Sequence, residues 1–161
     1  MLFKMSESEN RSEYAGLERR TIKSISDEDL KALRKGDEGV FGGMLGLSAE
    51  LNNFPEPMYV LKFEKELKLS DEQRKTIQQI ADEKQREAVF IGEELIAAEK
   101  HLDSHFANES VSSIELKDLI NRSAEIFGRL RYFHLISHLK TKDVLSQDQI
   151  DAYNKICGYS K

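Results

Sequence analysis

The sequence predicts an all-α protein, on three observations. Two long stretches, from Ser70 to about Phe106 and from about Ser113 to Asp143, repeat apolar residues at steps mostly of three and four, the period of a helix with one buried stripe. Of the 161 residues 33% are charged and 39% apolar, with no Trp and only two prolines, the composition of a charge-rich helical domain rather than a disordered or membrane-spanning one. Two near-identical pentamers, LSDEQ at 69–73 and LSQDQ at 145–149, each have the Ser-x-x-Gln spacing of a helix-starting capping box.

In chain order, residues 1–20 are polar and without period, as expected of a frayed or disordered start, and residues 21–161 read as one domain. SISDEDLKALRKG predicts a short helix: Ser26 caps it, acids fill its first turn, basic residues its last, and Gly36 stops it. The next segment, GDEGVFGGMLGLSAELNNFPEP, holds five glycines and both prolines. It reads as a turn, a short apolar helix around Met44–Leu51 and an irregular connector that must pack on something larger. MYVLKFEKEL is a third short helix.

At the first pentamer Ser70 caps a helix, with Gln73 reaching back and Leu69 placed as a hydrophobic staple. Ile77, Ile80, Ala88, Ile91, Leu95, Ala98, Leu102 and Phe106 form its stripe. The short polar ANESVSS, with Asn108 as the residue after the helix and Ser112 or Ser113 as the next cap, joins it to a second stripe. That one runs through Leu116, Ile120, Ala124, Phe127, Leu130, His134 and Thr141. A loop so short makes the two helices antiparallel neighbours, a core hairpin over 70–143. The first is about 55 Å long and needs a further layer from the N-terminal helices or from a second copy. Leu145, Ser146 and Gln149 then start a last helix to about Ile156. Gly92 and Gly128 come level if the hairpin turns near 109–110. They are either two weak points, each costing about 1 kcal/mol against alanine, or a close approach where a second hairpin crosses.

Several functions are disfavoured. The net charge of −5, with scattered Lys and Arg, argues against nucleic-acid binding. No apolar run reaches the roughly 18 residues of a membrane span. The opening residues carry no apolar signal region, so a secretory signal is not expected within this chain. No phosphate loop, dinucleotide fingerprint or nucleophile elbow is present, and an enzyme is not expected. Cys157 stands alone and reads as a packing residue.

A hairpin of long helices flanked by two L-[ST]-x-x-Q pentamers resembles the bacterial Spy/CpxP group, small all-α envelope proteins that carry this pentamer as their signature. The layout is also similar to that of the CnrX-type heavy-metal sensors. The resemblance spans roughly residues 55–159, including EELIAAEKHLDSHFA and LRYFHLISHL…VLSQDQIDAYNKICGY. It implies a periplasmic, cradle-shaped homodimer working without ATP or a required cofactor. Three functions are implied: a holding chaperone for unfolded clients, a periplasmic sensor or buffer of Ni, Co, Cu or Zn, or a regulatory partner of a membrane stress kinase. The acidic balance departs from members that present a basic concave face.

All four histidines fall in i, i+4 pairs, a spacing that lets two imidazoles bind one transition-metal ion. Without a glutamate in H-x-x-x-H there is no general base of the zincin kind. His134 and His138 precede the second pentamer, where the CnrX-type sensors carry a ligand pair. The expected hairpin register puts Ala81 to Gln85 beside them, with Asp82 or Glu83 as a carboxylate ligand. His101 and His105 lie near the hairpin tip, with Asp118 roughly level with His101. The alternative is that His134 is a satisfied core or interface histidine and the others are solvated. Val89, Phe90, Phe133 and Ile136 lie beyond a single buried stripe, which favours a surface for clients.

Overall fold

The computed structural model describes residues 11–159. Residues 1–10, half of the stretch expected to be frayed, lie outside the described residues; the other half carries turns and a 3-10 helix, Leu17–Arg19. Among the described residues the chain is all-helical, with α1 Asp27–Lys35, α2 Val40–Gly43, α3 Leu47–Glu50, α4 Pro57–Lys62, α5 Asp71–Ala107, α6 Ser113–Val144 and α7 Gln147–Cys157. The only β-type pairing there is an isolated bridge between Ile22 and Ile25.

Local chemistry sets the helix ends. Ser26 accepts from the Asp29 amide, and Gly36 ends α1 in the left-handed region that glycine tolerates. Ser70, Ser112 and Ser146 each form a complete capping box, with Gln73, Glu115 and Gln149 respectively. The hairpin loop differs in detail from expectation. Asn108 is not the left-handed residue; Glu109 is, at φ 51°, and the Ser110 amide still donates to the His105 carbonyl.

The residues that face each other across the hairpin differ from expectation as well. Across the hairpin Glu99 pairs with Ser123, Glu94 with Arg129 and Glu83 with Lys140. Residues therefore face each other about three to four positions from where a turn at 109–110 would put them, roughly one helical turn. His138 and His134 consequently lie opposite residues 84–85 and 88–89, against an expected window of 81–85.

The layers packed on α5 and α6 come from the same chain. Ile22, Ile25, Leu30, Leu33, Val40 and Leu45 pack with Ile91, Leu95, Ile126 and Leu130 in one apolar cluster. A second cluster joins Val60 and Leu67 to Ile77, Leu145, Ile150 and Tyr153. Gly92 does mark a close approach, but α1 makes it: a Cβ there would lie 2.6 Å from the Leu33 carbonyl oxygen, whereas one on Gly128 would meet nothing within 4 Å.

The pentamers answer each other across the fold. Gln73 donates to Gln149 Oε1 at 2.9 Å and to the Val144 carbonyl at 2.9 Å. Gln149 donates to Gln73 Oε1 at 3.0 Å and to the Leu67 carbonyl at 3.2 Å. Each amide oxygen also accepts from its own cap N–H, so both side chains use their two donors and both lone-pair directions. This near-symmetric clasp ties the start of α5 to the end of α6 and the start of α7.

Candidate functional site

Between the two apolar clusters the hairpin buries polar side chains. On α5 Lys84 lies between Ile77 and Ala88; on α6 His134, Ser137, His138 and Thr141 lie between Leu130 and Leu145. The connector 36–56 covers them, and α7 closes one side. Such a band costs free energy unless each group finds a partner.

Most groups do. His138, fully buried, places Nε2 2.6 Å from Glu38 Oε1 and Nδ1 2.6 Å from the Phe54 carbonyl oxygen. Two acceptors facing two ring nitrogens are satisfied together only by the doubly protonated ring. Burial pushes the His138 imidazole down, but the Glu38 carboxylate, the Phe54 carbonyl and the Glu50 charge outweigh it and raise its pKa. Burial likewise pushes the Glu38 carboxyl up, yet His134, His138 and Lys84 bring it down to about 2. The buried Lys84 ammonium donates to Glu56 and lies 3.8 Å from Glu38 Oε2.

Glu50, at the end of α3, is the second hub. Its carboxylate accepts from Tyr153 at 2.6 Å, Tyr159 at 2.8 Å and the Glu56 amide at 2.9 Å. Burial and the Glu50 charge hold both phenols well above their ordinary range, so they donate as neutral hydroxyls. Three carboxylates, one ammonium and one imidazolium thus share the band.

His134 stands apart. It is fully buried, its Nδ1 lies 3.6 Å from Glu38 Oε2, and neither ring nitrogen has a hydrogen-bond partner. Glu38 Oε2 has none either. Beside the band opens a cleft of about 670 Å³, floored by Glu38, Glu50 and Lys84 and rimmed by Leu47, Met58 and Tyr59.

The expected acidic companions of the histidine pair are elsewhere. Asp82 accepts from Gln78 one turn back on its own helix, and Glu83 pairs with Lys140 on the surface. The carboxylate beside His134 and His138 is instead Glu38 of the connector, and from the expected window 81–85 it is Lys84 that turns into the band. At the tip, His101 and His105 do come together, with Nε2 atoms 3.1 Å apart. Asp118 is level with residues 104–105 in the observed register and is exposed. Among the described residues no group of three or more His, Cys, Asp or Glu is arranged to hold a metal ion. Cys157 lies half-buried against the apolar cluster of α7, and burial pushes its thiol up. Glu38, Glu50, Glu56, Lys84, Tyr153 and Tyr159 carry the band without being singled out by spacing. One signal for Glu38 lies in the glycines: a Cβ on Gly46 would occupy the space of its carboxylate.

A second surface is apolar. Tyr132, Leu135, Ile136 and Leu139 on α6, with Ala49 and Phe54 of the connector, line an open groove of about 380 Å³. Tyr132 and Leu139 are 58% and 47% exposed. Towards the tip, Phe106, Ile114 and Ile120 are exposed as well.

The class defined by these features is an all-helical protein in which, among the described residues, no helix is long and apolar enough to cross a membrane. Comparison with family models, curated proteins and solved structures gives no significant match.

Proposed function

We propose that the chain is an ATP-independent binding protein of the Spy/CpxP type that shields apolar segments of partly folded proteins in the cell envelope. The observation that carries this reading is the open groove on α6, where Tyr132 and Leu139 stand exposed beside Leu135, Ile136 and Phe54. Contiguous exposed apolar surface of this kind is costly to keep in water and marks interaction sites. The paired pentamers support the family reading, because the shared Ser-x-x-Gln pattern serves one clasp. The groove is lined by side chains without charge, which suits clients recognised by apolarity rather than by sequence. A homodimer that joins two such surfaces into a cradle belongs to the same proposal.

The test is suppression of aggregation of a thermally unfolding client. Wild type protects at near-equimolar ratio, and Tyr132→Ser/Leu139→Ser loses most of the protection while its circular dichroism is unchanged. No protection at several-fold excess of the wild type overturns the reading.

A second reading, a periplasmic sensor of Ni, Co, Cu or Zn, is favoured by one observation: neither nitrogen of buried His134 has a hydrogen-bond partner, and neither has Glu38 Oε2 beside it. Calorimetry with these ions on wild type and His134→Ala tests it; binding unaltered by the substitution removes it.

A further inference from the structure

The last two turns of α5 carry a side-chain pair that the client-binding reading does not use. His101 is exposed and His105 half-buried, with ring centroids 4.8 Å apart and Nε2 atoms 3.1 Å apart. Two imidazole nitrogens at that separation share one proton when both rings are neutral, one ring donating its N–H to the other. A metal ion bonded to both at about 2.05 Å would subtend an angle of roughly 98°, between the right angle of tetragonal Cu²⁺ and the tetrahedral angle of Zn²⁺. The pair is thus already spaced for chelation, without rearrangement of the backbone.

Three neighbours favour a cation there. Ser110 Oγ lies 3.5 Å from His105 Nδ1, on the ring's far side, which leaves Nε2 facing His101. The pair sits beside the C-terminus of α5, where the helix dipole favours positive charge. Glu115, in the first turn of α6, is an anion near the pair; its carboxyl is held below its ordinary range, chiefly by hydrogen bonds from Ser112.

We propose that His101 and His105 form a two-histidine clamp for a divalent transition-metal ion with high affinity for imidazole, Cu²⁺ foremost and Zn²⁺ next, water completing the coordination shell. The ion takes the place of the shared proton, so binding weakens as pH falls below the range in which imidazole is neutral.

The experiment is calorimetric titration of the full chain with Cu²⁺, with Zn²⁺ and with Mg²⁺ as the oxygen-preferring control, joined to electron paramagnetic resonance of the Cu²⁺ form. Expected is one equivalent of Cu²⁺ with nitrogen hyperfine structure, a higher unfolding midpoint with Cu²⁺ present, and loss of that equivalent in both His101→Ala and His105→Ala. Both side chains lie near the hairpin tip and outside the apolar clusters, so the variants fold, which circular dichroism checks; protection of an aggregating client is unchanged in them. Absence of Cu²⁺ binding by the wild type, or an unchanged stoichiometry in either variant, overturns the proposal, including the case in which the ion is held instead by His134.

Discussion

Glu38 sits in a turn between two short helices, a position that spacing alone gives no reason to notice, yet it faces His134, His138 and Lys84 at once. Replacing it by glutamine leaves a buried ammonium and imidazolium short of one carboxylate. Breaking a buried pair in this way costs about 3–5 kcal/mol, and chemical denaturation of Glu38→Gln is expected to show a loss of that order. The pair also fixes a pH window. The Glu38 pKa lies far below its ordinary 4.5, so its share of stability is complete above 4.5 and is lost as pH falls through about 2. The His138 pKa lies above its ordinary 6.5, so its share is complete below 6.5 and is lost as pH rises through the folded value. Unfolding midpoints of the wild type, followed against pH, should therefore be highest between about 4.5 and 6.5, and the alkaline decline should flatten in His138→Gln. A wild-type profile still rising between pH 7 and 8 would contradict the assigned charge of His138.

At the scale of the elements, the pentamers show why their last residue is glutamine and not the equally good capping glutamate. The third capping box, at Ser112, uses Glu115 and contacts no second box. In the clasp, however, each side chain must donate twice as well as accept. Gln73→Glu keeps the cap but loses two donors and sets a carboxylate against the Val144 carbonyl and Gln149 Oε1, at a cost of about 1–3 kcal/mol. Glu115→Gln should change stability by less than about 0.5 kcal/mol; equal effects of the two substitutions in urea denaturation would remove the clasp from the account. The long-helix glycines make a parallel contrast. Gly128→Ala, with open space around it, should stabilise by about 0.5–1 kcal/mol, while Gly92→Ala drives a methyl group against the Leu33 carbonyl oxygen and destabilises. Helix starts, the capping serines and the antiparallel hairpin were legible in the sequence because they depend on neighbours within a turn. The register was not, since which residues face each other is set by packing between the helices and not by neighbours within a turn. The buried carboxylates Glu50 and Glu56 and the half-buried Glu38 all come from the glycine- and proline-rich connector, not from α5, where Asp82 and Glu83 lie. Such residues have no periodicity to announce them; only their burial identifies them.

For the whole molecule the layers are uneven along the hairpin. From Ile77 to Ala98 on α5 and from Ser123 to Thr141 on α6 a buried stripe is covered by α1, α4 and the connector. Beyond the tie of the Lys23 amide to Asp103 at 2.9 Å, the hairpin continues as two helices, and Phe106, Ile114 and Ile120 are 54%, 77% and 48% exposed there. Two helices without a third layer bury too little apolar area to hold firmly, so local opening at the tip should cost much less than global unfolding. Native-state hydrogen exchange is expected to show protection falling from the middle of α5 and α6 towards residues 104–120, by about two orders of magnitude or more if local opening there is cheaper by about 3 kcal/mol. The same measurement bears on the proposed homodimer. If a second copy covers Phe106 and Ile114, exchange at the tip must slow as protein concentration rises, because association adds to stability by mass action. Protection at the tip equal to that around Ile91, and independent of concentration, would mean that the two-helix end is held by interactions other than those described and would count against this layered account.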